Sequence, residues 1–275
     1  MRIVRRPAVA GTFYPERAPE LERTLDSLLD DGAAQLAAVP PAPKALIVPH
    51  AGYVYSGQTA ARGYALLARA KGDVERVVLL GPAHYVAFTG LALPKADAFA
   101  TPLGEVRLDQ RTAELLHGMP EVIEYDQAHA PEHSLEVQLP FLQRVLGDVE
   151  VLALLVGEAT PEQVAAVLEA CWGGPETLVL ISSDLSHYLP YDLARERDAA
   201  TVDRILALDW PLPDRSACGA RAVNGLLVAA PGHGLRPRLV DCRNSGDTAG
   251  DRARVVGYAS VSFALPSGVG TGEVR

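Results

Sequence analysis

Residues 44–57 read KALIVPHAGYVYSG. The run ALIV at 45–48 is apolar and strand-sized, and it stops at a Pro-His-Ala-Gly stretch that cannot continue a strand. The same arrangement recurs along the chain. RVVLL at 76–80 runs into GPAHY, TLVLI at 177–181 into SSDLSHY, and RLV at 238–240 into DCRNSGD. VEVLALLV at 149–156 and RVVGYASVSF at 254–263 are further runs of the same kind. Nearly continuous apolar strands suit a sheet covered on both faces. Between them, helical spacing is legible at 58–70, 109–117, 133–146, 160–171, 192–208 and 216–229, and Leu21, Leu25, Leu28 and Leu29 form a stripe at 19–30. Strands alternating with helices predict an α/β fold: one domain over residues 1–265, with a largely parallel central sheet and helices on both faces. FTGLALP at 88–94 and GEVRLD at 104–109 read as an added antiparallel excursion, AAVPPAP at 37–43 as irregular chain, and 266–275 as a flexible C-terminal tail.

Composition removes several classes of function. The chain has 275 residues, 48% hydrophobic and 21% charged, with 25 Lys and Arg against 34 Asp and Glu, a net charge of −9. That is globular composition with ample core. Its basic residues form no cluster beyond Arg5-Arg6, which argues against nucleic acid and against an anionic membrane surface as partners. No apolar run approaches the ~18 residues of a membrane span, and the first residues lack the apolar core of a signal peptide. Three scattered cysteines make no disulfide framework. A cytoplasmic location is expected.

In open α/β sheets ligands bind beyond the carboxyl ends of the strands. Four of the strand ends deliver side chains able to bind a metal or titrate: His50, His84, the Asp184/His187 pair and Cys242. A lone histidine is more often a loop cap, but four such ends together favour a shared site. His50, His84 and Cys242 could supply three ligands to a single metal ion, iron(II) or copper, with zinc also compatible, leaving coordination positions open. Of Asp184 and His187, one could orient a ligand and the other move a proton. All five residues are expected to line one pocket at the carboxyl edge. His133, which opens a helical stretch, could face the same rim, with Tyr53 and Tyr55 also expected at the pocket.

Other motifs are weaker. His129-Ala-Pro-Glu-His133 matches a metallopeptidase string, but Pro131 keeps its two histidines off one helical face. Cys171 and Cys218 read as small buried apolar groups, and His117 and His233 as solvent-facing. Cys242 is expected to be the reactive thiol because of its cationic and metal-binding surroundings. No phosphate-binding glycine loop and no serine-nucleophile elbow is present.

The motifs GTFYP at 11–15, PHAGYVYSG at 49–57, GPAH at 81–84, EHSLEVQLPFLQ at 132–143, SSDLSHY at 182–188, Cys218-Gly219 and CRNSGDTAGD at 242–251 together resemble the Memo family. Its prokaryotic members are called AmmeMemoRadiSam system protein B. One stretch departs, with Ala220-Arg221-Ala222-Val223 where the family carries a Pro-Ile-like run. The resemblance implies a fold like that of class III extradiol dioxygenases, which hold non-haem iron(II) with two histidines and a glutamate and use a further histidine for proton transfer. By position it implies His50 and His84 as the histidine ligands, His187 as the proton-transfer group and Cys242 near the place of the carboxylate. A thiolate there softens the site, so ring cleavage does not carry over. The resemblance further implies an AMMECR1-like protein and a radical SAM protein as partners. Two functions follow as expectations: a metal-dependent redox enzyme acting on a small molecule, or a non-enzymatic metal- or peptide-binding adaptor.

Overall fold

The computed structural model describes residues 2–36 and 42–266. Most of the tail expected at 266–275, and most of the proline-rich stretch, lie outside the described residues. The chain opens with β1 (Val4–Arg5) and α1 (Ala18–Ala34), then β2 (Ala45–Val48), α2 (Tyr53–Ala65) and β3 (Arg76–Pro82). Next come β4 (Leu91–Leu93), β5 (Ala98–Thr101), β6 (Gly104–Arg107), α3 (Gln110–Leu116), β7 (Val122–Glu124) and the single turn α4 (Asp126–His129). A 3-10 turn at Glu136–Gln138 leads into α5 (Leu139–Val145), followed by β8 (Glu150–Val156), α6 (Pro161–Ala170), β9 (Thr177–Ser182) and β10 (His187–Leu189). The last elements are α7 (Tyr191–Leu206), α8 (Ala220–Ala229), β11 (Arg236–Asn244) and β12 (Val255–Ala264).

The main sheet has nine strands in the order β10-β12-β2-β9-β3-β8-β4-β7, with β11 on the outer edge of β12. Its centre is parallel: β2, β9, β3 and β8 pair in register, Ile47 with Ile181 and Leu80 with Ile181 and Leu154. The sheet is mixed, however, because β4 runs antiparallel to β8, and β12 antiparallel to β2, β10 and β11. A second, three-stranded sheet, β1-β5-β6, was not foreseen. The excursion at 88–109 is thereby split, β4 joining the main sheet and β6 the small one.

Alternation along the buried strands explains the layers. Leu46, Val48, Val77, Leu79, Leu178 and Leu180 face the core under α1, α2 and α5, whereas Ala45, Ile47, Val78, Leu80, Val179 and Ile181 face the core under α6, α7 and α8. Burying each large aliphatic side chain contributes about 1.5–3 kcal/mol. α6 starts with a reciprocal capping box, Thr160 accepting from Gln163 N and Gln163 accepting from Thr160 N.

β11 corrects the expectation of a strand buried on both faces. It is an edge strand with Arg236, Arg238, Leu239 and Cys242 exposed, and it continues through Asn244 instead of ending at Val240. Cys242 therefore lies within the strand, opposite Ala259 of β12.

Candidate metal centre

β2, β3 and β9 end together, and the chain beyond each carries a polar group to one edge. The first is His50, 1% exposed, two residues past β2. Its backbone N–H donates to Asp184 Oδ1 at 2.8 Å, which ties the β2 exit to the β9 exit. Its Nδ1 lies 2.9 Å from Ser182 Oγ. Ser182 gives its one proton to the Ser134 carbonyl at 2.6 Å and accepts from Gln138 Nε2 at 2.8 Å, so it accepts from His50 Nδ1–H. The tautomer is set, and Nε2 of His50 carries the lone pair, with Cys218 Sγ 3.3 Å away.

His84 follows β3 by two residues. Its Nδ1 lies 2.9 Å from Glu132 Oε1. Glu132, 2% exposed, also accepts from the backbone N–H groups of His84, His133 and Ser134. Burial works to raise its pKa, but the His84 ring and these N–H groups outweigh burial and hold the carboxyl down at about 2. His133 Nδ1 lies 3.3 Å from the same Glu132 oxygen. Its ring stacks on His84 at 4.7 Å between centroids and meets His50 edge-on at 5.6 Å. Gly81 permits the approach, because a Cβ there would stand 2.9 Å from Ser134 Oγ.

His50, His84 and His133 each present one ring nitrogen, and the three nitrogens lie within 4.8 Å of one another. Burial, together with the neighbouring imidazoles, holds His50 well below its ordinary pKa, and burial lowers His133 as well. Neutral imidazoles with Nδ1 engaged outward are the form in which histidine binds a metal. The donor set thus fits one zinc, copper or iron ion with open coordination positions.

Cys242, expected as the third ligand, is not brought to this cluster. It faces β12 from the far side, two strand spacings or about 9.6 Å from β2. His133 stands third in its place. The surroundings of Cys242 are acidic, not cationic: desolvation and the carboxylates of Asp198, Asp241 and Asp247 push its thiol up to about 11. Cys218, expected to be only a buried apolar group, has its sulfur 3.3 Å from His50 Nε2 and accepts from Asp184 N at 3.2 Å. It also lines a cavity of about 230 Å³ with Pro82, Ala83 and Arg221, whose wall includes none of the three histidines. Cys171 is buried and inert, its thiol pushed up to about 12 by desolvation.

Asp184 is buried, and desolvation raises its pKa. Its grip is on the His50 backbone. His187 opens β10 at the exposed side and donates Nδ1–H to the Leu185 carbonyl at 2.9 Å, since a carbonyl can only accept. Its Nε2 is left as an acceptor, and the ring lies near enough to His50 and Asp184 to bear on both. Tyr55 is 41% exposed near the Tyr258 phenol. Tyr53 belongs to the core instead: it is 5% exposed, donates to the Val137 carbonyl and packs on Tyr14 and Phe141. His129 is buried with Nε2 on the Ala92 carbonyl and takes no part in the cluster.

Reasoning from strand ends alone missed Glu132, Ser182, Gln138 and Phe13. Phe13 covers His133 at 4.7 Å and is held there by the N-terminal segment, which Glu136 anchors through Arg5, Tyr14 and the N–H groups of Ala8 and Val9.

An α/β sheet with a histidine cluster at the carboxyl edge of its parallel strands defines the class. The fold has a counterpart in the crystal structure of an uncharacterized protein, JW3007, from Escherichia coli K12, at TM-score 0.50 and 14% identity over 80% of this chain and 98% of that one. Residues 5–262 match the Memo-like protein family, and the chain belongs to it. It is 38% identical to a MEMO1 family protein of Ignicoccus hospitalis over 96% of this chain and 100% of the relative. It is 37% identical to one of Archaeoglobus fulgidus over 94% and 99%. Among the described residues no helix is long and apolar enough to cross a membrane.

Proposed function

We propose that this Memo-family protein is a metal-dependent oxidoreductase acting on a small molecule, its ion held by His50, His84 and His133. The observation that carries the reading is the convergence of three ring nitrogens within 4.8 Å, with His50 fixed from behind by Ser182 and His84 by Glu132, each through Nδ1. A bound iron, copper or zinc ion would supply Lewis acidity, and iron or copper also redox chemistry, at open coordination positions. Ser182 and Glu132 set the tautomer and aim of the His50 and His84 rings, and Glu132 adds one negative charge beside His84 and His133. Asp184 fixes the His50 backbone. His187 Nε2 takes a proton from substrate at the exposed side and can return it, with Nδ1 anchored on Leu185. The cavity beside Cys218 offers about 230 Å³ for the substrate body.

Anaerobic titration with iron(II), copper(I) and zinc tests the reading. One ion per chain is expected, lost in His50→Ala, His84→Ala and His133→Ala. Unchanged stoichiometry in all three variants overturns it. Oxygen uptake with phenolic compounds then asks for turnover.

A second reading, an adaptor that engages a peptide or the AMMECR1-like and radical SAM proteins, is favoured by the apolar rim. Val54, Tyr85 and Tyr188 are 65%, 58% and 62% exposed next to the site segments. Metal binding without any turnover would favour it. A cytoplasmic location agrees with both readings.

A further inference from the structure

At the opposite edge of the main sheet, where β2 and β9 begin, lies a larger cavity of about 1140 Å³. The histidine centre has no part in it. Among the described residues its wall carries Lys44, Arg69, Arg236 and Arg238 and a single carboxylate, Asp73. The chain as a whole has more acids than bases, 34 against 25, so four cations with one acid reverse the overall balance. Among the described residues no carboxylate pairs with Arg69, Arg236 or Arg238, all three of which are exposed.

The placement of these cations is specific. Arg236 and Arg238 are two apart on edge strand β11, in unbroken register with Ala264 and Ser262, so both project from the same face about 6.7 Å apart. Arg69 comes from the turn after α2, across the cavity. Lys44 is held at the inner end, donating to the carbonyls of Trp172, Gly174 and Thr177 at 2.7 Å each. Beside it Trp172 and His233 stack at 3.9 Å and 10°, forming a flat wall, with His233 pinned by Glu169. Charges on an edge strand are also an ordinary guard against edge-to-edge pairing, so what marks this pair is the cavity that both residues line. Planar guanidinium forks converging on a cavity are the chemistry that binds phosphate oxygens in pairs.

We propose that this cavity is a second ligand site, for a compact small molecule bearing two or more negative charges on phosphoryl groups. Arg236 and Arg238 grip one side of it, Arg69 closes the other, and the Trp172/His233 wall accepts a flat or apolar remainder.

The test is calorimetric titration of the full chain with pyrophosphate at low ionic strength, with citrate as a carboxylate of comparable charge. Saturable binding of pyrophosphate is expected, with citrate weaker. The double variant Arg236→Gln/Arg238→Gln should weaken it by at least about 10-fold, the scale of one lost charge-assisted hydrogen bond. Asp73→Asn should tighten it. The double variant must melt as the parent does and keep its metal stoichiometry, which separates this site from the histidine centre. Absence of saturable pyrophosphate binding overturns the proposal, as does binding that the double variant leaves unchanged. Citrate binding as tightly as pyrophosphate overturns the phosphoryl assignment.

Discussion

Ser182 Oγ lies 2.9 Å from His50 Nδ1, and because its own proton goes to the Ser134 carbonyl, the serine decides which nitrogen of His50 is free. Ser182 is fully buried at the end of β9, so no water can replace it without a cavity. Ser182→Ala should lower metal affinity 10–100-fold, the usual effect of losing a partner behind a ligand. Ser182→Thr, which keeps the hydroxyl, should recover part of it. Competition titration against a chelator reads both.

The N-terminal segment depends on Glu136. Its buried carboxylate accepts from Arg5 at 2.8 Å, Tyr14 OH at 2.6 Å and the N–H groups of Ala8 and Val9. Glu136→Ala leaves Arg5 charged with its side chain only 8% exposed. A loss of roughly 3–5 kcal/mol is expected in denaturant unfolding, as for other buried pairs with one partner removed. Tyr14→Phe should cost about 1 kcal/mol. Since the same segment carries Phe13 against His133, faster hydrogen exchange across residues 8–14 should accompany the loss in Glu136→Ala.

His129 gives stability a pH dependence independent of any metal. Burial lowers its pKa to about 4, while Nε2–H donates to the Ala92 carbonyl. Below the unfolded value of 6.5 the unfolded chain takes up a proton that the folded chain refuses. Stability contributed above pH 6.5 is therefore lost as pH falls towards 4, by an amount on the order of 3 kcal/mol. His129→Gln should flatten that slope in melts taken between these two pH values.

The parts of the site legible in the sequence are those that obey the strand-end rule. ALIV and RVVLL announce buried strands, and His50 and His84 stand two residues past them. His133 could only be placed at the rim, because it arrives on the loop after α4, whose position is set by Glu132 and the Gln138–Ser182 contact. Cys242 was misplaced because RLV looked like a whole strand. An edge strand need not be apolar, so polar residues 241–244 extend β11 along β12 and keep the cysteine on its outer side. The strands AFAT and VIE gave no signal, being only four and three residues long, one at the centre of the small sheet and the other at the edge of the main one. Mixed pairing of β12 was invisible because apolar runs carry no direction.

The three thiols should separate by reactivity. Cys171 is buried and Cys218 is half-buried with its thiol pushed up by desolvation, while Cys242 is exposed but held in the thiol form by desolvation and its three aspartates. Alkylation should therefore reach Cys242 first, slowly near neutral pH, and accelerate as pH rises towards about 11. Cys242→Ser should keep the metal stoichiometry of the parent. Loss of metal in that variant would restore the cysteine to the ligand set and displace His133 from it. Cys218→Ala, which removes a thiol competing for His50 Nε2, should leave metal bound at least as tightly.

His187 separates proton transfer from metal binding. Its Nδ1–H is committed to Leu185, its Nε2 is open, and it stands on β10 outside the group of three nitrogens that converge. His187→Ala should leave one ion per chain, within the 10–100-fold weakening allowed to an outer group. His187→Gln should behave the same way, since the amide can still donate to Leu185. Once a substrate is found, both variants should be slower by about 10²–10⁴-fold, the worth of one general acid or base. Metal titration of His187→Ala beside His50→Ala decides the assignment. If His187→Ala abolishes binding as fully as His50→Ala, then His187 is a ligand and the proton has another carrier.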